Sequence, residues 1–199
     1  MIPVVTITGR GVPLRRSDVD TDQIIPSEWL KRVERTGFGR GLFSEWRDEK
    51  SFVLNQPEYQ GANILVAGPR FGTGSSREHA VWALMDYGFA AVVAPSFGDI
   101  FRNNSSKQGL AIVQLSEDQV TNLHELLEKD PSAEITIDID RMSLEVPAHG
   151  INWSFQLDPI TRERLLNGWD DIGLSLRHDE EISAYEARHQ GGSVPPGLA

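Results

Sequence analysis

A chain of 199 residues with 39% apolar and 24% charged side chains has room for one domain with a substantial core. Its net charge of -10 argues against a nucleic-acid or anionic-membrane surface, which would repel it. With no cysteine, the chain has no disulfide, no zinc–thiolate site, no cysteine nucleophile and no iron–sulfur ligation of its own. No run approaches the roughly 20 apolar residues of a membrane span. Met1-Ile2-Pro3-Val4 lacks the basic-then-apolar layout of a signal peptide, so the cytoplasm is the expected compartment.

The β-branched stretch Val4 to Thr8 predicts a first strand, followed by a turn-rich basic segment from Gly9 to Ser17. Asp18-Val19-Asp20-Thr21-Asp22-Gln23-Ile24-Ile25-Pro26 places acids at alternate positions, but an EF-hand fails. The sixth residue is Gln23 rather than glycine, and the twelfth is Trp29 rather than glutamate. An Asx-capped turn is one reading; we prefer a polar loop that meets the glycine-rich turn near Ser75. Ser27 to Val33 reads as a short helix entered through Pro26. Lys31 to Gly41 is basic and punctuated by Gly37, Gly39 and Gly41, which fits a gating loop or a solvated connection equally well. Its like charges and glycines predict disorder in the free chain. An apolar patch begins at Leu42, Phe43 and Trp46, and 51–61 is irregular.

Asn63 to Gly68 reads as a buried strand, and Val81, Trp82, Leu84, Met85 and Tyr87 recur at helical spacing, placing a helix start near Ser76. Between them lies Phe71-Gly72-Thr73-Gly74-Ser75-Ser76-Arg77-Glu78-His79-Ala80. Ala90 to Pro95 reads as a second buried strand, so strand, helix and strand predict a parallel crossover. The polar segment 96–109 and the Gly72 turn would then leave the carboxyl ends of neighbouring strands, where ligands bind in open α/β sheets. Leu110 to Leu115 is a third strand, and Ser116 caps a helix through Lys129. Ile135, Ile137 and Ile139 alternate with polar residues in a half-exposed strand. Leu144 and Val146 continue a hairpin, and Ile151 to Leu157 forms another strand. Helices follow at Pro159 to Asn167 and Asp170 to Leu176, then an acidic amphipathic stretch from Asp179 to Arg188 and a Gly/Pro-rich tail.

A strand, a glycine-rich turn and a helix together make an anion cradle, because free backbone N–H groups and the helix dipole face the turn. Several motifs fail here. A P-loop lacks its lysine. A dinucleotide fingerprint from Gly72 would need glycine where Arg77 stands. A nucleophile elbow fails at Ser75, which Gly74 directly precedes, and at Ser76, two residues after which stands Glu78. His79 is more readily a packing or capping residue than a base for Ser76. The guanidinium of Arg77 suits a carboxylate, and a cation from the Lys31–Arg40 loop suits a second. Backbone N–H groups beside Ser75 would stabilise an alkoxide able to take a proton from carbon. Such an elimination needs a Lewis acid for the departing hydroxyl, and the sequence shows no metal cluster, so half of a site is missing.

Three stretches, Gly74-Ser75-Ser76-Arg77-Glu78-His79-Ala80, Asp20 to Pro26, and Ser96 to Phe101 with Lys107 to Leu110, resemble the swivelling domain of the aconitase superfamily. The resemblance is nearest to the small subunits of bacterial 3-isopropylmalate dehydratases and covers residues 1–177, leaving 178–199 as an acidic helix and disordered tail. It implies a three-layer β/β/α fold with a mixed sheet. It also implies a separate large subunit that carries a 4Fe-4S cluster on three cysteines, with no cofactor on this chain. The reaction implied is conversion of the dicarboxylate 2-isopropylmalate to 3-isopropylmalate through 2-isopropylmaleate, in leucine biosynthesis.

Carried over by motif, Ser75 is the catalytic base. Ser76 and Arg77 bind substrate carboxylate, Thr21 and Asp22 support the site, and Arg32 is the candidate cation for the second carboxylate, although spacing does not fix which loop cation is the counterpart. Trp29, Leu30, Val33 and Arg35 belong to the stretch that sets substrate choice. Two alternatives stay open: a homoaconitate or methylmalate-type dehydratase small subunit, and a carboxylate-binding module without catalysis.

Overall fold

The computed structural model describes residues 1–31 and 36–189. Seven strands form one mixed sheet in the order β4-β3-β2-β1-β5-β6-β7. They are β1 (Thr6–Leu14), β2 (Ile64–Ala67), β3 (Ala91–Ala94), β4 (Ala111–Gln114), β5 (Glu134–Asp138), β6 (Ser143–Val146) and β7 (Ile151–Ser154). The helices are α1 (Thr21–Ile24), α2 (Ser44–Arg47), α3 (Glu78–Tyr87), α4 (Asp99–Gln108), α5 (Glu117–Lys129), α6 (Pro159–Asn167), α7 (Asp171–Leu176) and α8 (Asp179–His189).

Strand β1 belongs to both halves of the sheet. Its first part, Thr6 to Arg10, pairs antiparallel with β5, and its second part, Gly11 to Leu14, pairs parallel with β2. Burial follows this division. β2 and β3 are buried at every position, as parallel strands covered on both faces are. β5 alternates buried Ile135 and Ile137 with more exposed Glu134, Thr136 and Asp138. One core cluster joins Ile64, Val93 and Val113 of the parallel half, Ile137 and Leu144 of the antiparallel half, and Leu123 and Leu127 of α5. Strands far apart in the sheet order meet there, so the sheet curls. Its two halves and the helices make the expected β/β/α arrangement. The second cluster, on the other face of the parallel half, contains Phe38, Phe43, Phe71, Leu84 and Phe101.

Several elements depart from the sequence reading. β1 runs through the segment read as a turn. A Cβ on Gly9 would stand 2.8 Å from Asn63 Nδ2, and one on Gly11 would stand 2.6 Å from Leu127 Cδ1. These glycines answer to close packing within a strand, not to a turn. The polar segment after β3 is mostly helix α4. Its buried face is made by Phe101, Ser105 and Ser106, and hydroxyls on the inner face hide the helical period. Helix α3 begins at Glu78, with Arg77 in the cap position. The like charges and glycines of 31–41 predict disorder, yet Phe38, Gly39 and Gly41 are buried. The expectation for Arg32, Val33 and Arg35 falls outside the described residues, as does that for the tail from residue 190.

Candidate functional site

Three loops leave the carboxyl ends of the adjacent parallel strands β1, β2 and β3 and are tied together by backbone bonds. Asp18 N donates to Pro69 O at 2.9 Å, Gly72 N to Val19 O at 2.7 Å and Thr21 N to Thr73 O at 2.9 Å. On the other side, Phe71 N donates to Ser96 O at 3.0 Å and Gly98 N to Phe71 O at 2.9 Å. The Ser96 hydroxyl accepts from Arg70 N at 2.9 Å. The glycine-rich turn is therefore clamped between its neighbours. Gly72 has φ +74, and a Cβ there would stand 2.7 Å from the Cβ of Phe101, so only glycine fits.

The Asp18–Pro26 segment does meet this turn. Asp20 caps α1: its Oδ1 accepts from Gln23 N at 2.8 Å, while Gln23 Oε1 accepts from Asp20 N at 2.9 Å. The Asx cap and the polar contact loop are thus the same structure. The cap directs Thr21 inward, where it is 2% exposed. Its Oγ1 donates to the carbonyl of Ser75 at 3.0 Å. Asp22 stays on the surface and pairs with Arg77 Nη1.

Ser75 and Ser76 are exposed, and Arg77 is largely covered, with 16% of its side chain accessible. Arg77 Nε donates to Ser75 Oγ at 3.0 Å. The guanidinium thus bridges the Ser75 hydroxyl and the Asp22 carboxylate, which leaves further N–H groups of its five for a ligand. Ser75, Arg77, Thr21 and Asp22, chosen from separate stretches of sequence, lie together, with Ser76 adjacent in the turn. Trp29 and Leu30 are half-buried at the start of the next segment. Arg32, Val33 and Arg35 lie outside the described residues.

His79 packs its ring against Phe38 and Trp82, with centroids 5.2 and 4.7 Å away. This matches the packing reading. Ser96 stands in one of the three stretches that carry the resemblance, but sequence reasoning gave it no role; the structure makes it a strut under Arg70. Among the described residues no three His, Cys, Asp or Glu side chains converge as a metal site. No described helix is long and apolar enough to cross a membrane. A cleft of about 790 Å³ lined by Ser96, Arg102, Gln114 and Gln156 contains neither Ser75 nor Arg77. The serine turn instead faces outward.

Residues 1–118 match the family model for the aconitase C-terminal domain. Residues 171–191 match the model for the C-terminal domain of the 3-isopropylmalate dehydratase small subunit. A 3-isopropylmalate dehydratase small subunit of Frankia alni is 63% identical over 180 residues, 90% of this chain and 91% of that one. The chain belongs to the 3-isopropylmalate dehydratase small-subunit family. The relative from Rubrobacter xylanophilus is 55% identical across 94% of each chain. That from Streptomyces coelicolor is 60% identical across 91% of each. The crystal structure of a 3-isopropylmalate dehydratase from Methanocaldococcus jannaschii superposes with a TM-score of 0.66 at 27% identity, covering 91% of this chain and 99% of that one. The small-subunit family and the curled mixed sheet therefore agree.

Proposed function

We propose that this chain supplies the base and a carboxylate clamp to a 3-isopropylmalate dehydratase completed by a large subunit. The chain is a hydro-lyase small subunit of leucine biosynthesis. The arrangement around Ser75 supports the residue roles. A serine hydroxyl is a poor base until its alkoxide is stabilised, and a guanidinium 3.0 Å away favours the deprotonated oxygen. Ser75 Oγ takes the carbon-bound proton of 2-isopropylmalate while the hydroxyl on the adjacent carbon departs, leaving 2-isopropylmaleate. Water then returns with the opposite placement, Ser75 giving its proton to the other carbon, and 3-isopropylmalate forms.

Ser76 and the remaining N–H groups of Arg77 hold one carboxylate, and Arg32 is assigned to the second. Trp29, Leu30, Val33 and Arg35 set the shape that receives the isopropyl group. The iron of a 4Fe-4S cluster on the large subunit supplies the Lewis acidity for the departing hydroxyl. This chain, lacking cysteine, provides no thiolate for it. The outward-facing turn fits a site closed by a second chain. Residues 1–177 form the working domain, in the cytoplasm, with 178–199 appended. Helix α8, in that appended part, buries no side chain.

The single observation that carries this reading is the Arg77 bridge between Ser75 and Asp22. The test is reconstitution with the large subunit, following absorbance of the unsaturated intermediate. Ser75→Ala is expected to lower turnover by about 10²–10⁴-fold. Wild-type turnover by that variant would overturn the base assignment. Activity of this chain alone, without iron, would overturn the division between subunits.

A further inference from the structure

Strands β4 and β7 are the two edges of the sheet and do not pair with each other. The curl still brings the residues that follow them together, since Leu115, just past β4, and Phe155, just past β7, share one buried cluster. The seam between the edges stays open as the cleft of about 790 Å³. Ser116 and Gln119 at the start of α5 line it from one side, and Ser154 and Gln156 from the other. Arg102 of α4 reaches it as well. Its Nη2 donates to Gln114 Oε1 at 2.8 Å, and its guanidinium carbon stands 5.7 Å from the centre of the Phe97 ring. This leaves further N–H groups of its five for an acceptor from outside. Ser96 lines the same cleft and also holds the serine turn in place. Its carbonyl accepts from Phe71 N at 3.0 Å and its hydroxyl from Arg70 N at 2.9 Å. Turn and cleft therefore lie side by side along the carboxyl ends of β2, β3 and β4, at a fixed spacing.

We propose that this cleft is a docking site for the large subunit and receives a projecting, uncharged polar segment of that chain, whose carbonyl oxygens meet Arg102. The proposal rests on the reading that the large subunit closes the site over the serine turn. A stable two-chain interface takes about 800 Å² and roughly 20–30 residues from each partner. A turn of a few residues presents far less, so the contact extends over neighbouring surface. The cleft is the concave surface joined to the turn, through Ser96. An arginine inside an interface is an effective anchor, because its fork makes several directed bonds while its stem covers apolar surface. Here Gln114 and Phe97 already hold the guanidinium, so less side-chain freedom is lost on binding. Glu117 and Asp158 also line the cleft and disfavour an acidic segment. Neutral carbonyl oxygens satisfy Arg102 without that repulsion.

The test measures the dissociation constant of the full chain for the isolated large subunit. Arg102→Ala is expected to weaken binding about 30-fold, the scale of an interface anchor. Ser154 is exposed, and Ser154→Trp, which fills the cleft, is expected to weaken binding as well. With the large subunit at saturation, kcat of both variants is expected to match wild type, and so is the melting temperature of the free chain. Asn122 is exposed on α5 outside the cleft, and Asn122→Trp is expected to bind like wild type. Unchanged affinity in both cleft variants would overturn the proposal, and so would equal weakening by Asn122→Trp. A melting temperature that falls in step with affinity in both cleft variants would assign the loss to folding and overturn it too. A small molecule as occupant would leave affinity unchanged. A second copy of this chain would show as self-association, without the large subunit, that the cleft variants abolish; either result overturns the proposal. Ser76→Trp tests the underlying reading separately. Weakening by the cleft variants but not by Ser76→Trp would uphold the cleft and overturn closure over the turn. Weakening by Ser76→Trp alone would do the reverse.

Discussion

The Thr21 hydroxyl donates to the carbonyl of Ser75 at 3.0 Å across a sequence separation of 54 residues. The bond is made from a buried side chain to the backbone of the proposed base. It holds the peptide next to Ser75 while leaving Oγ in place to accept from Arg77.

Thr21→Val keeps the shape and removes the donor. Stability is expected to fall by about 1 kcal/mol, the net worth of one hydrogen bond. Turnover in the complex is expected to fall much further, towards 10²-fold, since a misplacement of about 1 Å is enough for that. Thr21→Ser retains the hydroxyl and is expected to stay near wild type. Thermal unfolding and turnover, measured on the same preparations, separate the two effects. Equal losses in both would mean that the bond supports the fold alone.

Gly72 and Gly88 form a matched pair for testing how rigidly the turn is built. Both have positive φ, +74 and +119, but a Cβ at Gly88 meets nothing within 4 Å. Gly88→Ala is expected to cost about 1–2 kcal/mol, the backbone term alone. Gly72→Ala adds collision with Phe101 and is expected to cost about 2–5 kcal/mol in total. Denaturant unfolding of the two variants gives the comparison; equal costs would show that α4 yields to the turn.

His124 provides a pH dependence remote from the serine turn. It is 5% exposed, and its Nε2–H donates to the carbonyl of Val66 at 2.9 Å. Burial lowers its pKa and outweighs the Val66 bond, which raises it; Arg15 lowers it further and Glu128 opposes that. The unfolded chain therefore takes up this proton more readily than the folded one. The stability contribution is full above the ordinary histidine value of about 6.5 and is lost as pH falls below it. Wild-type melting temperature is expected to drop between about pH 7.5 and about pH 5.5, and the drop is expected to be shallower in His124→Gln, which does not titrate there. Parallel curves for the two proteins would place the acid sensitivity elsewhere.

Local chemistry makes much of this protein legible without its fold. Ser116 and Gln119 form a capping box at the start of α5 as the capping rules anticipate. Ile64 to Ala67 and Ala91 to Ala94 read as buried strands because both faces are covered. The glycine turn between strand and helix is visible from its residue types and spacing, and it matches neither the phosphate-binding nor the nucleophile-elbow motifs. What stays hidden depends on neighbours distant in sequence. The glycines of β1 resemble turn residues until Asn63 and Leu127 are seen against them. The polar inner face of α4 conceals a helix until its serines are seen to be buried.

The sequence by itself determined the buried strands β2 and β3, the capped helix α5, the glycine-rich turn between strand and helix and the absence of any thiolate for a metal, because each depends on residue type and short-range spacing. Tertiary structure alone decided that β1 joins two sheet halves, that Asp22 holds one side of the Arg77 guanidinium and Ser75 the other, and that Gly39 N donates to Asp86 of α3. Each of these is a contact between segments tens of residues apart, set by how the strands order and curl, and no local pattern encodes that.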